Sequence, residues 1–63
     1  MKQTLLNLKK IHGEETELIH LYEKAFEVAK SESKNEVSEF LRGKIKEAKA
    51  RASEIEKMIH NLN

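Results

Sequence analysis

The sequence predicts an all-α protein: an antiparallel two-helix hairpin that assembles with copies of itself into a helical bundle. Three observations carry this expectation. The composition suits helices, with no proline, only Gly13 and Gly43, and eleven acidic residues that are all glutamate, beside abundant lysine, leucine and alanine. Apolar residues recur every three or four positions on both sides of one polar interruption. A chain of 63 residues without cysteine has neither disulfides nor thiolate metal ligands to support a small core, which leaves association as the means of closing it.

The first helix is expected over about residues 2 to 31. Its apolar series runs Leu5, Leu8, His12, Glu15, Ile19, Tyr22, Phe26 and Ala29, the spacing of a coiled-coil seam. Its weak point is His12-Gly13-Glu14, where a glycine that costs a helix interior about 1 kcal/mol coincides with a seam turned polar. A break there would leave residues 2 to 11 as a separate short helix or arm.

The turn is expected at Ser31 to Lys34, within Lys30-Ser31-Glu32-Ser33-Lys34-Asn35-Glu36, a stretch with no apolar residue. Ser33-Lys34-Asn35-Glu36 fits a capping box, with the serine oxygen on the N3 amide and the glutamate reaching back to the cap. The second helix is then expected over about residues 34 to 62, with Leu41, Ile45, Ala48, Ala52, Ile55, Ile59 and Leu62 as its seam. Ile11, Leu18, Ala25, Val37, Phe40 and Met58 widen both stripes, as for helices that touch more than one neighbour. A pair cannot cover both stripes, so a dimer closing a four-helix bundle is the simplest solution.

A reversal near residues 32 and 33 sets facing residues at numbers summing to about 65 in an antiparallel pair. Glu23 then faces Arg42, Glu14 faces Arg51, Tyr22 faces Gly43, and Gly13 faces Ala52. The net charge is only +1, but it alternates in blocks. Lys2, Lys9 and Lys10 precede a segment holding Glu14, Glu15, Glu17, Glu23 and Glu27 against Lys24, and residues 42 to 51 hold five bases against Glu47. Such alternation suits pairing within or between copies at least as well as a charged partner.

Several groupings could carry chemistry. Glu17-Leu18-Ile19-His20 has the spacing of a di-metal helix, but the second such motif and the further glutamates are missing, so an exposed helical pair is the expectation and no metal is assigned. His12 and Glu15, on consecutive seam positions, read as a solvated helix end, as a polar layer that specifies register, or as a ligand site. Arg42, Lys46 and Lys49 share a helix face that could bind phosphate, in RNA or a signalling nucleotide, at a subunit junction with Tyr22. No aromatic is free for base stacking, since Tyr22, Phe26 and Phe40 read as core or near-core. Gly43, Ala48, Ala50 and Ala52 form a run of low bulk that would let helices pack closely or would admit a partner helix.

With no cysteine, no aspartate, no glycine-rich phosphate loop and no cofactor motif, catalysis is not expected. Apolar runs are at most two residues long, so no membrane span or signal peptide is expected, and the default setting is cytoplasmic. In length and predicted hairpin the chain resembles the plasmid-encoded Rop-type RNA-binding bundles; the likeness is of architecture, and no functional residue is carried over. The leading expectation is a homo-oligomeric helical module, of the kind bacteria or their phages use as a regulator, inhibitor or adaptor of another protein. Binding of a phosphate-bearing ligand is the alternative.

Overall fold

The computed structural model describes residues 2–63. Two helices account for almost all of them: α1, Lys2–Ser31, and α2, Asn35–Leu62. They pack side by side as an antiparallel hairpin measuring 47 × 14 × 10 Å, the length being that of 30 residues rising about 1.5 Å each.

α1 runs unbroken through His12-Gly13-Glu14, so residues 2 to 11 are part of the helix rather than a separate arm. Ties to α2 flank the glycine. Glu15 accepts from Arg51 Nε through both carboxylate oxygens, at 3.2 and 3.1 Å, and His12 Nε2 lies 3.4 Å from Glu56. Thr16 Oγ1 also donates to the His12 carbonyl at 2.9 Å, across the same turn of helix. These contacts hold together the one stretch whose propensity is poor.

At the turn the structure departs from the expected capping box. Ser33 has φ 59°, the left-handed conformation that ends many helices. Its amide donates to the Lys30 carbonyl at 3.1 Å, and the Lys34 amide donates to the Ala29 carbonyl at 2.8 Å. This pair of bonds is the Schellman arrangement, which satisfies the last carbonyls of α1. A residue so engaged cannot also stand in the extended conformation of an N-cap. Lys34 occupies that position instead, and no side chain caps α2. Glu36 remains in the first turn of α2, where its negative charge complements the helix dipole.

Ser33→Gly is expected to raise stability by about 0.5–1 kcal/mol, because glycine reaches the left-handed region without a Cβ clash. An unchanged or lower urea midpoint would contradict the assignment of Ser33 as the helix-ending residue.

The seam positions of α1, from Leu5 to Ala29, are all half-buried or buried, as are Leu41, Ile45, Ala48, Ala52, Ile55, Ile59 and Leu62 on α2. Ser38 completes the α2 seam at the turn end, 6% exposed, with its hydroxyl donating to the Asn35 carbonyl at 3.0 Å. Few residues are fully enclosed, however. Only Ala29, Ser38, Leu41 and Ala48 are buried among those described, and none of them is bulkier than leucine.

Cross-helix contacts at Glu15–Arg51, His12–Glu56 and Phe26–Arg42 place facing residues at numbers summing to about 67 rather than 65. The three-residue connection displaces the helices by about 3 Å relative to the expected register, and this changes the partners. Arg51 meets Glu15 instead of Glu14. Arg42 pairs with Glu39 on its own helix at 3.6 Å and lies 5.7 Å from the centre of the Phe26 ring. Glu23 meets Lys49 at 3.6 Å instead of Arg42, a pairing that the slide alone does not produce, since it lies about five residues off the register and is bridged by long side chains.

Candidate functional site

At 100° per residue, the side chains beside the seam fall into two long faces. One face carries Ile11, Leu18, Leu21, Ala25 and Val28 from α1, a second three-four series parallel to the seam. From α2 it carries Val37, Phe40, Lys44, Glu47, Arg51, Glu54 and Met58. At the turn end the two contributions meet in a shallow groove lined by Ala25, Val28, Ala29, Val37 and Leu41, together with Lys24, Glu32 and Lys34.

This face is where apolar surface is left over. Among the described residues seven large apolar side chains are conspicuously exposed, and Ile11, Leu21, Val28, Val37, Phe40 and Met58 all lie here; Leu6 is the exception. Phe40, expected in or near the core, is 62% exposed. It sits about 130° from the α2 seam, an angle that a single neighbouring helix cannot cover. Lys44 lies over it, Nζ 5.3 Å from the ring centre.

The opposite face is charged. It carries Thr16, His20, Glu23 and Glu27 from α1, and Arg42, Lys46, Lys49, Ser53, Glu56 and His60 from α2. A hollow here is lined by Glu23, Phe26, Glu27, Arg42 and Ile45. The basic set therefore does share a face, as its spacing predicts, but acids are interleaved with it: Glu39 at Arg42, Glu23 at Lys49, and Glu27 nearby. Lys46 is the member with no acid within ion-pair distance among the described residues. Tyr22 stays in the seam, half-buried, and not beside the bases.

The other candidates separate in space. His20 pairs with Glu23 at 3.6 Å, one turn further along α1, rather than acting with Glu17. His12 and Glu15 form the polar layer of the seam, but each is directed to its own partner on α2, Glu56 and Arg51. Glu15 is the more enclosed, its side chain 16% exposed. Among the described residues no three histidines or carboxylates gather as a metal site, and no helix is long and apolar enough to cross a membrane.

The low-bulk run does not form a groove. Ala48 is fully buried and Ala52 half-buried in the seam, whereas Gly43 and Ala50 are on the solvent side of α2. A Cβ built on Gly43 or on Gly13 meets no neighbouring side chain or partner-helix backbone within 4 Å, so neither glycine makes room for Tyr22 or Ala52. Gly43→Ala should thus stabilise the chain by about 1 kcal/mol through helix propensity alone. A drop in melting temperature instead would mean that something packs on that glycine.

Sequence periodicity located the seam but did not single out Ser38, whose polarity hides it, or Leu21 and Val28. These last two complete the second apolar series when the spacing is followed from Leu18 and Ala25. No family model, curated protein or solved structure matches the chain, so the geometry of the hairpin is what bears on its role.

Proposed function

We propose that the hairpin is a small homo-oligomeric interaction module: two copies cover their apolar faces in a four-helix bundle, and the charged outer faces engage another protein, as a regulator, inhibitor or adaptor does. The observation that carries this reading is the concentration of exposed apolar side chains on one long face. Contiguous apolar surface of that kind marks association sites in water-soluble proteins.

The surface area agrees with the reading. The hairpin exposes 5054 Å², against about 4,200 Å² for an ordinary globular monomer of its mass. The excess, roughly 850 Å², is close to what each partner buries in a standard interface. Sedimentation equilibrium at micromolar concentration is expected to give the dimer mass, and Leu21→Glu with Phe40→Glu the monomer mass. A well-folded wild-type monomer under those conditions would overturn the self-association.

Binding of a phosphate-bearing ligand by Arg42, Lys46, Lys49 and Tyr22 has less behind it. Acids accompany two of its three bases, and counterion release from phosphate needs cations that are not already paired. An RNA affinity unchanged by Arg42→Ala and Lys46→Ala would remove that alternative.

A further inference from the structure

We infer that the second copy docks on the apolar face with its turn at the opposite end, about a two-fold axis that crosses the hairpin level with Lys49 and Leu18; this rests on the self-association proposed above. The α2 stripe on that face is complementary to itself. Three pairs of positions equidistant from residue 49 hold opposite charges or apolar partners, Glu47 with Arg51, Lys44 with Glu54, and Phe40 with Met58, while Val37 falls opposite Asn61. An antiparallel contact between α2 and its copy, centred there, forms each pairing twice, because an isologous interface repeats every contact.

The same axis also suits α1. The hairpin register, in which facing residues sum to about 67, puts residue 18 level with residue 49. Reflection about that level stacks Leu18 on Leu18 of the copy and Ile11 on Ala25, large against small. Glu14, at the outer margin of the face, has no opposite charge facing it across the axis. The charges of α2 thus set the centre, and α1 accommodates it at Leu18, Ile11 and Ala25, while Leu21 and Val28 fall opposite the seam positions Glu15 and Leu8.

The other isologous arrangement keeps both turns at one end. It lays the α2 stripe on the α1 stripe of the copy, and Lys44, Glu47 and Arg51 then press on Leu18 and Leu21. Desolvating charges against apolar side chains is unfavourable, whereas the antiparallel arrangement adds opposite charges from the copy to the pairs Lys44–Glu47 and Arg51–Glu15 that the hairpin already holds. The face is long enough for either arrangement, so charge placement decides between them.

The chain has no cysteine, so Ser31→Cys, on the solvent side of α1 at the turn, gives a single site for a nitroxide label. Double electron–electron resonance on the dimer is expected to give a separation of about 40 Å or more, from 26 residues of helix along the bundle. A separation below about 30 Å with an intact dimer would overturn the orientation and leave self-association standing; a labelled monomer would overturn both. In sedimentation, Lys44→Glu should weaken the dimer about tenfold, and adding Glu54→Lys should restore it to within about threefold, as for paired surface charges. Helicity measured by circular dichroism checks that both variants fold. A double variant no stronger than the single one would overturn the pairing.

Discussion

Leu41→Ala is expected to cost about 2–3 kcal/mol of folding free energy, the lower part of the range for truncating a buried leucine because the site borders solvent. Leu41 is the largest of the four buried residues, 9% exposed, and the other three are two alanines and a serine. A chain this short has total stability on the order of 3–9 kcal/mol, so the loss approaches what holds the hairpin together. Loss of most of the helical circular dichroism at 37 °C is the expected readout. Val37→Ala, four residues earlier and half exposed, should cost less than 1 kcal/mol in the isolated hairpin. Equal effects at the two positions would mean that the seam does not lie where the burial places it. Both variants should be compared at one protein concentration, because association adds to apparent stability.

Ala48→Leu should be similarly damaging for the opposite reason. Ala48 is the single described residue with no exposed surface, at a level where Ile19 faces it across the hairpin. Three additional carbons there force the helices apart or push leucine from its preferred rotamers, at a cost of about 1–3 kcal/mol. Ala50→Leu, two residues later on the solvent side, should change stability by less than 0.5 kcal/mol. The pair of variants separates close packing of the helices from a partner groove along the low-bulk run. If Ala50→Leu were the harmful change, that groove would be restored as an interaction site.

The two faces relate these local effects to the proposed assembly. Seam variants act on the hairpin itself, whereas Leu21, Phe40, Lys44 and Glu54 lie beyond the reach of α1–α2 packing and act on what covers the face. A substitution can therefore be assigned by whether its effect depends on protein concentration. Gly13 and Gly43 belong to neither group, since no neighbour stands where a methyl would go.

Much of the fold was legible in the residues. Helix propensity and the absence of proline determined the two helices, the polar stretch from Lys30 to Glu36 determined where the chain reverses, and three-four spacing identified the seam. These are local properties, and each acts within about one helical turn. Spacing also exposed a stripe too wide for one neighbour, which is the root of the proposed assembly.

The tertiary structure decided the axial register, the roles of the turn residues and the choice of charge partners. Ser33 fits the chemistry of an N-cap, yet it closes α1 in the left-handed conformation, because the chain's reversal puts the last carbonyls of α1 within its reach. That geometry slides the helices by about 3 Å, a shift to which apolar spacing is blind because the seam stays on the same side. For long charged side chains the same shift is enough to exchange Glu14 for Glu15 at Arg51, and to leave Arg42 with Glu39 and the Phe26 ring. The faces of this hairpin were set by residue spacing, and the pairings across it were set by the turn.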